Sequence, residues 1–274
     1  MIGVLDSGVG GLSVLRHIRT QLPAADLLYV ADQAHVPYGS RSLAEIRQFS
    51  EGIVRFLLAQ GSEMIVVACN TASAAALTYL RERFPNTPIV GMEPAVKPAA
   101  AHTRTGKVGV LATAGTFESP RYTSLMHRYA QSIVVLEDPC VGLVGLIEAG
   151  NVAGRETAVL LQTILAPMLA AGVDTLVLGC THYPFVQPLI AQIVAKSPSK
   201  PTPFTIIDPA PAVARQTRRV WQQQGLPVEP DLMGVVRLLT TGDTSQMAQL
   251  TAQLLGEMWG VETAVWQGDI LKVA

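Results

Sequence analysis

The sequence predicts an α/β fold in which parallel sheets are covered by helices, and two patterns support this prediction. Short apolar runs rich in β-branched residues, such as Ile2–Leu5 and Met64–Ala68, recur along the 274 residues. Between them lie segments such as Ser42–Gln60 and Arg155–Ala171, with apolar residues at i, i+3 and i+4. Strands that are apolar nearly throughout and alternate with helices are typical of a parallel sheet that is buried on both faces.

The apolar runs predict eight strands before the C-terminal tail. In a parallel sheet, ligands bind outside the carboxyl ends of the strands, so the residues that follow each run are the candidates for function. The tail from Asp208 onward adds a predicted helix, Ser245–Leu255, and a strand-like run, Thr263–Trp266, which we expect to pack on the first half. The eight predicted strands are Ile2–Leu5, Leu27–Val30, Met64–Ala68, Pro88–Gly91, Lys107–Leu111, Ser132–Leu136, Thr175–Leu178 and Thr205–Ile207.

Two parts of the chain repeat the same arrangement, which predicts two similar domains. A hydroxyl-rich turn follows the strand at residue 2 and again follows the strand 106 residues later, and two strands 111 residues apart end in Cys69 and Cys180. Candidate linkers rich in Pro with Ala or Ser are Glu93–Arg104 and Ser197–Pro203. We expect two halves that face each other across a cleft, with one cysteine on each wall.

Composition limits the class of protein. Hydrophobic residues make up 49% of the chain and charged residues 15%, which is enough for a large buried core. The net charge of -1 lacks the excess of Lys and Arg that nucleic-acid binding needs, so nucleic acid is not expected as the primary ligand. No apolar run approaches the roughly 20 residues that span a bilayer, and no leader is expected before residue 2. We therefore predict a cytoplasmic protein without membrane contact.

The three cysteines are predicted to be free thiols, because an odd number at wide spacing fits neither a disulfide framework nor a zinc site. Cys140 has no titratable or hydroxyl neighbour in sequence, which favours a role as a small core residue. Cys69 and Cys180 each end an apolar strand and precede polar residues that can start a helix. The N–H groups and dipole of such a helix favour a thiolate.

A matched pair of thiols without a metal or a disulfide suggests proton exchange at carbon. Racemisation at Cα removes a proton from one face and delivers another to the opposite face, and two monoprotic groups solve this directly. Other racemases use pyridoxal phosphate as an electron sink. None of the five lysines lies in a setting that suggests a Schiff base, so no cofactor and no metal are predicted.

The residues beside the two cysteines are candidate partners. His182 is expected to polarise Cys180, whereas Asp6 is equally consistent with a helix cap and with a partner of Cys69. The glycines after Asp6 do not have dinucleotide-binding spacing, and bare amides beside a hydroxyl suit a carboxylate. The other hydroxyl and amide side chains after the strands could bind an amino acid or cap helices: Asn70, Thr71, Thr113, Thr116 and Thr181.

These motifs together resemble the glutamate racemase family, within the aspartate/glutamate racemase superfamily. The resemblance runs nearly the full length of the chain, and the two cysteine segments are its most specific part. The family commonly has Pro after the cysteine that matches Cys140, where this chain has Val141. The matching segments are Gly3–Leu12, Ala31–Asp32, Val36–Gly39, Ala68–Ala72, Gly91–Ala95, Gly179–Pro184 and Thr240–Asp243.

The resemblance implies a cofactor-independent glutamate racemase that supplies D-glutamate for peptidoglycan, often as a homodimer. It implies that Cys69 exchanges the Cα proton of D-glutamate and that Cys180 exchanges the Cα proton of L-glutamate. Asp6 and His182 are implied to assist the two cysteines, and Glu148 is a further implied site residue. It also implies domains of residues 1–95 with 208–274 and of residues 96–207. The implied substrate-binding residues are Ser7, Pro37, Tyr38, Gly39, Asn70, Thr71, Thr113, Thr116 and Thr181.

Alternative functions remain open from the sequence. A racemase of the same superfamily could act on aspartate or a hydantoin, and a regulatory homologue could have lost catalysis. A thiol hydrolase or redox protein has little support, because Cys180 and His182 are too close in sequence for a separated nucleophile and base, and no Cys-x-x-Cys is present.

Overall fold

The computed structural model describes residues 1–199, 201–225 and 233–274. The linker Ser197–Pro203 includes Lys200, which lies outside the described residues. The described chain divides into two compact units, one of Met1–Met92 with Ala210–Ala274 and one of Glu93–Pro209. The family resemblance implies crossings near residues 95 and 207.

The first unit is built on a seven-stranded sheet with the order β11-β10-β9-β2-β1-β3-β4. The β10–β11 pair is antiparallel, and the other pairs are parallel. The strands are β1 Ile2–Asp6, β2 Leu27–Ala31, β3 Met64–Val67, β4 Ile89–Val90, β9 Val236–Thr240, β10 Val261–Gln267 and β11 Ile270–Val273. The helices are α1 Leu12–Gln21, α2 Leu43–Ala59, α3 Asn70–Arg83, α10 Ala210–Gln223 and α11 Thr244–Leu255.

The second unit is built on a four-stranded parallel sheet with the order β6-β5-β7-β8. The same order, β2-β1-β3-β4, occurs inside the sheet of the first unit. The strands are β5 Lys107–Leu111, β6 Val134–Asp138, β7 Thr175–Leu178 and β8 Thr205–Ile207. The helices are α4 Val96–His102, α5 Ala114–Phe117, α6 Pro120–Tyr129, α7 Leu143–Glu148, α8 Arg155–Ala170 and α9 Gln187–Lys196.

The central strands are buried on both faces, which explains their apolar sequences. Leu28 and Val30 of β2 pack with α2 and α3 residues in one core cluster. Leu27 and Tyr29 of the same strand are equally buried, although they point to the other face. Helices therefore cover both faces, and the predicted α/β fold of two units with parallel sheets is confirmed.

The described residues of the C-terminal tail contain three elements that the sequence did not predict, α10, β9 and β11. Beyond the expected helix and final strand, Val236–Thr240 forms β9, which pairs in parallel with β2. The run Val236-Arg237-Leu238-Leu239-Thr240 has a charged residue at its second position, within the apolar run, whereas the charged residues of β1 and β5 stand at a strand end. As a result the tail extends the first sheet and brings the end of β9 beside the end of β2.

Candidate active site

Cys69 lies just past the carboxyl end of β3, in the first unit. It is the residue before the first turn of α3, and its Sγ accepts a hydrogen bond from the Ala72 N–H at 3.4 Å. The thiol also contacts the Ser7 hydroxyl, with 3.8 Å between Sγ and Oγ. Only 4% of Cys69 is exposed. A sulfur at a helix N-terminus with an N–H donor is in a setting that favours thiolate.

Asp6 and Ser7 lie at the end of β1, which pairs with β3. Asp6 is fully buried, and its Oδ2 accepts a hydrogen bond from the Gly8 N–H at 3.0 Å. The residue that caps α1 is Gly11, so Asp6 does not cap that helix. A Cβ on Gly11 would lie 2.7 Å from the Asp6 Cβ, so the close approach of the loop to Asp6 requires glycine here.

The Pro37-Tyr38-Gly39 turn follows β2. The Val36–Pro37 peptide is cis, and a short 3₁₀ turn covers Tyr38–Ser40. Tyr38 is buried, and its hydroxyl donates to Asp32 Oδ2 at 2.7 Å. Burial, and next the carboxylate of Asp32, raise the pKa of Tyr38 well above its usual value, so the phenol stays neutral.

Asn70 and Thr71 form the first turn of α3, and both are nearly fully buried. In the part of the chain that the structure describes, neither side-chain polar atom of Asn70 has a hydrogen-bond partner. Leaving a buried amide unsatisfied costs about 1–3 kcal/mol, so this side chain is suited to a ligand that supplies the missing partners.

Cys180 lies two residues past the end of β7, in the position that Cys69 occupies after β3. It is 6% exposed, and its Sγ lies 3.6 Å from His182 Nδ1. The helix dipole expected at Cys180 is not observed, because a 3₁₀ turn, Tyr183–Val186, comes first and α9 begins only at Gln187. Pro188 has no N–H to donate to the carbonyl four residues earlier, which disfavours an α-helix that continues from Tyr183 into α9.

His182 joins Cys180 to Glu148 of α7. Its Nε2 lies 2.6 Å from Glu148 Oε1, and the imidazole is 2% exposed. Burial alone lowers the pKa of His182, but the hydrogen bonds to Cys180 and Glu148 outweigh it and hold the pKa well above its usual value. A protonated imidazole between the two groups can stabilise a Cys180 thiolate and return a proton to it.

The three threonine candidates of the second unit follow β5 and β7. The hydroxyls of Thr113 and Thr116 are 3.1 Å apart, and Thr116 and Thr181 are buried. Thr113 occupies the N-cap position of α5 without capping it through its hydroxyl. Thr113 is therefore not explained as a residue whose hydroxyl caps α5.

Cys140 is also buried but has different surroundings. It adopts a φ of 48°, its N–H donates to Asp138 Oδ1 at 2.7 Å, and its Sγ contacts the Asp138 carbonyl. Burial, and next the charge of Asp138, raise the pKa of Cys140 well above its usual value. A neutral thiol in such a setting is a poor base, which agrees with the expected core role.

The structure thus groups the candidates by unit. Around Cys69 it gathers Asp6, Ser7 and Tyr38, and around Cys180 it gathers His182 and Glu148. The sequence did not single out the Asp32 carboxylate as a site residue. The Ala31–Asp32 and Thr240–Asp243 segments were the available signal, since both follow strands that end at the same edge of the sheet.

The described residues contain neither a candidate metal-binding cluster nor a candidate membrane-spanning helix. No group of three or more His, Cys, Asp or Glu side chains that could hold a metal ion occurs among these residues. No helix within residues 1–199, 201–225 and 233–274 has the length and apolar character to cross a membrane.

Comparison with known proteins points to one family. The family described as Asp/Glu/Hydantoin racemase matches residues 2–217. A glutamate racemase of Pseudomonas paraeruginosa is 49% identical over 98% of this chain and 97% of its own length. A crystal structure of a glutamate racemase isoform from Bacillus anthracis superposes with a TM-score of 0.85 at 32% identity, covering 98% of both chains.

A third similar protein is the Escherichia coli glutamate racemase, solved in complex with L-glutamate and the activator UDP-MurNAc-Ala. It has a TM-score of 0.82 and 32% identity, and the match covers 97% of this chain and 98% of that one.

We expect the imidazole of His182 to titrate above the roughly 6.5 of a free histidine. Glu148→Gln removes the carboxylate partner and should lower that pKa. Because the pKa of His182 is raised in the folded state, protonation of His182 stabilises the folded protein. This stabilisation is complete below about pH 6.5 and is lost as pH rises through the folded pKa. This pH-dependent part should shrink in Glu148→Gln. Histidine NMR titration, with urea unfolding at several pH values, measures both effects. A wild-type His182 that titrates at or below 6.5 would contradict the assignment.

Proposed function

This chain belongs to the Asp/Glu/Hydantoin racemase family, and we propose that it interconverts L-glutamate and D-glutamate by proton exchange at Cα between two thiols. The relatives that support glutamate as the substrate match nearly the full length of the chain. The resulting D-glutamate would serve peptidoglycan synthesis.

One observation carries the proposed mechanism. A buried cysteine that forms no disulfide follows the equivalent strand of each unit at the same offset, Cys69 after β3 and Cys180 after β7. Each unit contributes one thiol, in line with domains of residues 1–95 with 208–274 and of residues 96–207. Two monoprotic groups are what racemisation requires, because the proton leaves one face of Cα and a different proton arrives at the other.

In the direction from D-glutamate, the Cys69 thiolate takes the Cα proton and becomes a neutral thiol. The electron pair left on carbon delocalises into the α-carboxylate as the C–H bond breaks. The Cys180 thiol then delivers its own proton to the opposite face, which leaves a Cys180 thiolate and L-glutamate. The reverse direction uses the same two groups with their roles exchanged, so each turnover inverts the protonation of the pair.

The supporting residues differ between the two thiols. Cys69 is stabilised by the Ala72 N–H and the Ser7 hydroxyl, and Asp6 assists it from the end of β1. Cys180 is supported by His182, which is held in turn by Glu148. The unsatisfied amide of Asn70 supports a role in holding the substrate. The proposed substrate-binding residues are Ser7, Pro37, Tyr38, Gly39, Asn70, Thr71, Thr113, Thr116 and Thr181.

We expect Cys69→Ser and Cys180→Ser each to reduce racemisation by about 100- to 10,000-fold, because a serine hydroxyl is a far weaker acid than a thiol and is not ionised near neutral pH, so it neither donates a proton readily nor supplies a base. Circular dichroism of the glutamate solution measures the rate in both directions. Cys140→Ser is the matched control, a buried cysteine with a raised pKa, and should retain most of the activity. All three variants should remain folded. Wild-type rates in Cys180→Ser would end the two-thiol mechanism.

The substrate assignment is tested by comparing both acids. The wild type should interconvert D- and L-glutamate far faster than D- and L-aspartate, and the activity should persist without added cofactor and after dialysis against a metal chelator. Activity on aspartate alone would overturn the substrate. A pure preparation that incorporates no solvent deuterium at Cα of either glutamate enantiomer would favour a regulatory homologue without catalysis.

We propose further that the protein is a cytoplasmic homodimer. Sedimentation velocity at micromolar concentration should give about twice the 29.2 kDa mass of the chain. A single, fully active species at the monomer mass would contradict the proposed dimer but not the proposed reaction.

A further inference from the structure

Asp32 is a buried carboxylate that binds four side chains. It follows β2 directly and is fully buried. Its Oδ2 accepts from the Tyr38 hydroxyl at 2.7 Å and lies 2.9 Å from His35 Nδ1. Its Oδ1 accepts from the Thr241 hydroxyl at 2.9 Å and from the Trp266 Nε1–H at 2.8 Å. We call these five residues the Asp32 cluster.

The two oxygens of Asp32 connect different parts of the first unit. Oδ2 contacts Tyr38 and His35 of the segment that follows β2. Oδ1 contacts Thr241 and Trp266 of the C-terminal tail and also lies 3.1 Å from His35 Nδ1. Thr241 immediately follows β9, and Trp266 lies in β10. The two tail donors therefore help to fix the rotation of the carboxylate, and with it the position of the oxygen that accepts from the Tyr38 hydroxyl.

The direction of the Thr241 contact is fixed by a second hydrogen bond. Its hydroxyl accepts from the Ala34 N–H at 2.9 Å, so the single hydroxyl proton is directed to Asp32. A buried carboxylate that loses one of these donors must turn toward another donor or toward water. Loss of a tail contact is thus transmitted to the Tyr38 turn.

Packing on α2 holds Trp266 in place. A Cβ on Gly52 of α2 would lie 2.7 Å from Cζ3 and 2.8 Å from Cη2 of the Trp266 ring. On the same helix, Phe49 stacks on His35 with ring centroids 3.8 Å apart. The indole therefore lies against the one position of α2 that has no side chain.

We propose that Trp266 and Thr241 are positioning residues that act through Asp32 to hold the Tyr38 turn beside Cys69. This inference rests on the proposed racemase function. Neither residue needs to touch substrate. Tyr38 links the cluster to the chemistry, because Tyr38 and Cys69 lie in the same buried cluster and the Tyr38–Ser40 turn packs against α3, the helix that Cys69 precedes. Substitution of Trp266 or Thr241 should therefore slow proton transfer at Cys69 and not proton transfer at Cys180.

The first test removes a single donor. Trp266→Phe keeps an aromatic ring and deletes the N–H, and we expect kcat/KM for glutamate to fall about 10-fold, as for a lost hydrogen bond to a charged group. Trp259→Phe is the matched control, since the Trp259 Nε1–H also donates to a carboxylate, that of Glu257, at 3.0 Å. The control should stay within about 2-fold of wild type, like most surface substitutions away from a site.

The second test moves the ring without touching a hydrogen-bonding group. Gly52→Ala places a methyl group where Trp266 lies and should reproduce the loss of Trp266→Phe, although Ala favours the helix itself. Gly260→Ala is the control, because a Cβ there meets nothing within 4 Å. Thermal unfolding of all four variants shows whether any loss of activity follows a loss of folded protein.

A readout specific to positioning is the primary deuterium isotope effect on kcat/KM. The two proton transfers share control of the rate. If the transfer at Cys69 becomes slower, the isotope effect rises for D-glutamate, which Cys69 deprotonates, and falls for L-glutamate, which Cys180 deprotonates. Trp266→Phe and Gly52→Ala should raise the effect for D-[2-²H]glutamate relative to the L-enantiomer. Equal isotope effects, or losses no greater than in the two controls, would overturn the inference. A wild type without glutamate racemisation would instead overturn the proposed function.

Discussion

A buried thiol can exchange a proton at carbon only if its surroundings tolerate both of its charge states, and this requirement shapes both units. Near Cys69 the charged form is favoured by a helix N-terminus and by a backbone N–H at 3.4 Å. Near Cys180 it is favoured by a histidine whose proton is retained through Glu148. Cys140 lacks such support, and burial keeps its thiol neutral. The three cysteines therefore differ in environment and not in exposure.

The repeated sheet order explains how one chain obtains two such thiols. In each unit a central strand lies beside a strand that ends two residues before a cysteine, so the same backbone geometry presents both sulfurs. The elements after the cysteines then diverge. The α-helix after Cys69 supplies the Ala72 N–H to the sulfur, whereas a 3₁₀ turn follows Cys180 and a histidine held by a carboxylate lies beside its sulfur.

Much of this could be predicted from sequence, because it depends on local patterns. The apolar runs indicated the parallel strands, and the polar residues that follow them indicated where a ligand binds. Other features were not predicted. The strand at Val236–Thr240 has Arg237 within its apolar run, and a 3₁₀ turn stands where the polar residues after Cys180 suggested a helix. The Asp32 contacts with Thr241 and Trp266 join residues more than 200 positions apart. Long-range contacts of this kind leave no periodic signal in one sequence.

In the proposed mechanism two different groups handle the two protons, and isotope incorporation in D₂O tests this most directly. In the first turnovers from L-glutamate, the D-glutamate formed should carry solvent deuterium at Cα, while the remaining L-glutamate stays unlabelled. The abstracted proton stays on one sulfur, and the delivered deuteron comes from the other. Early D-glutamate that retains the substrate's own Cα hydrogen would show that a single group serves both faces and would contradict the two-thiol account.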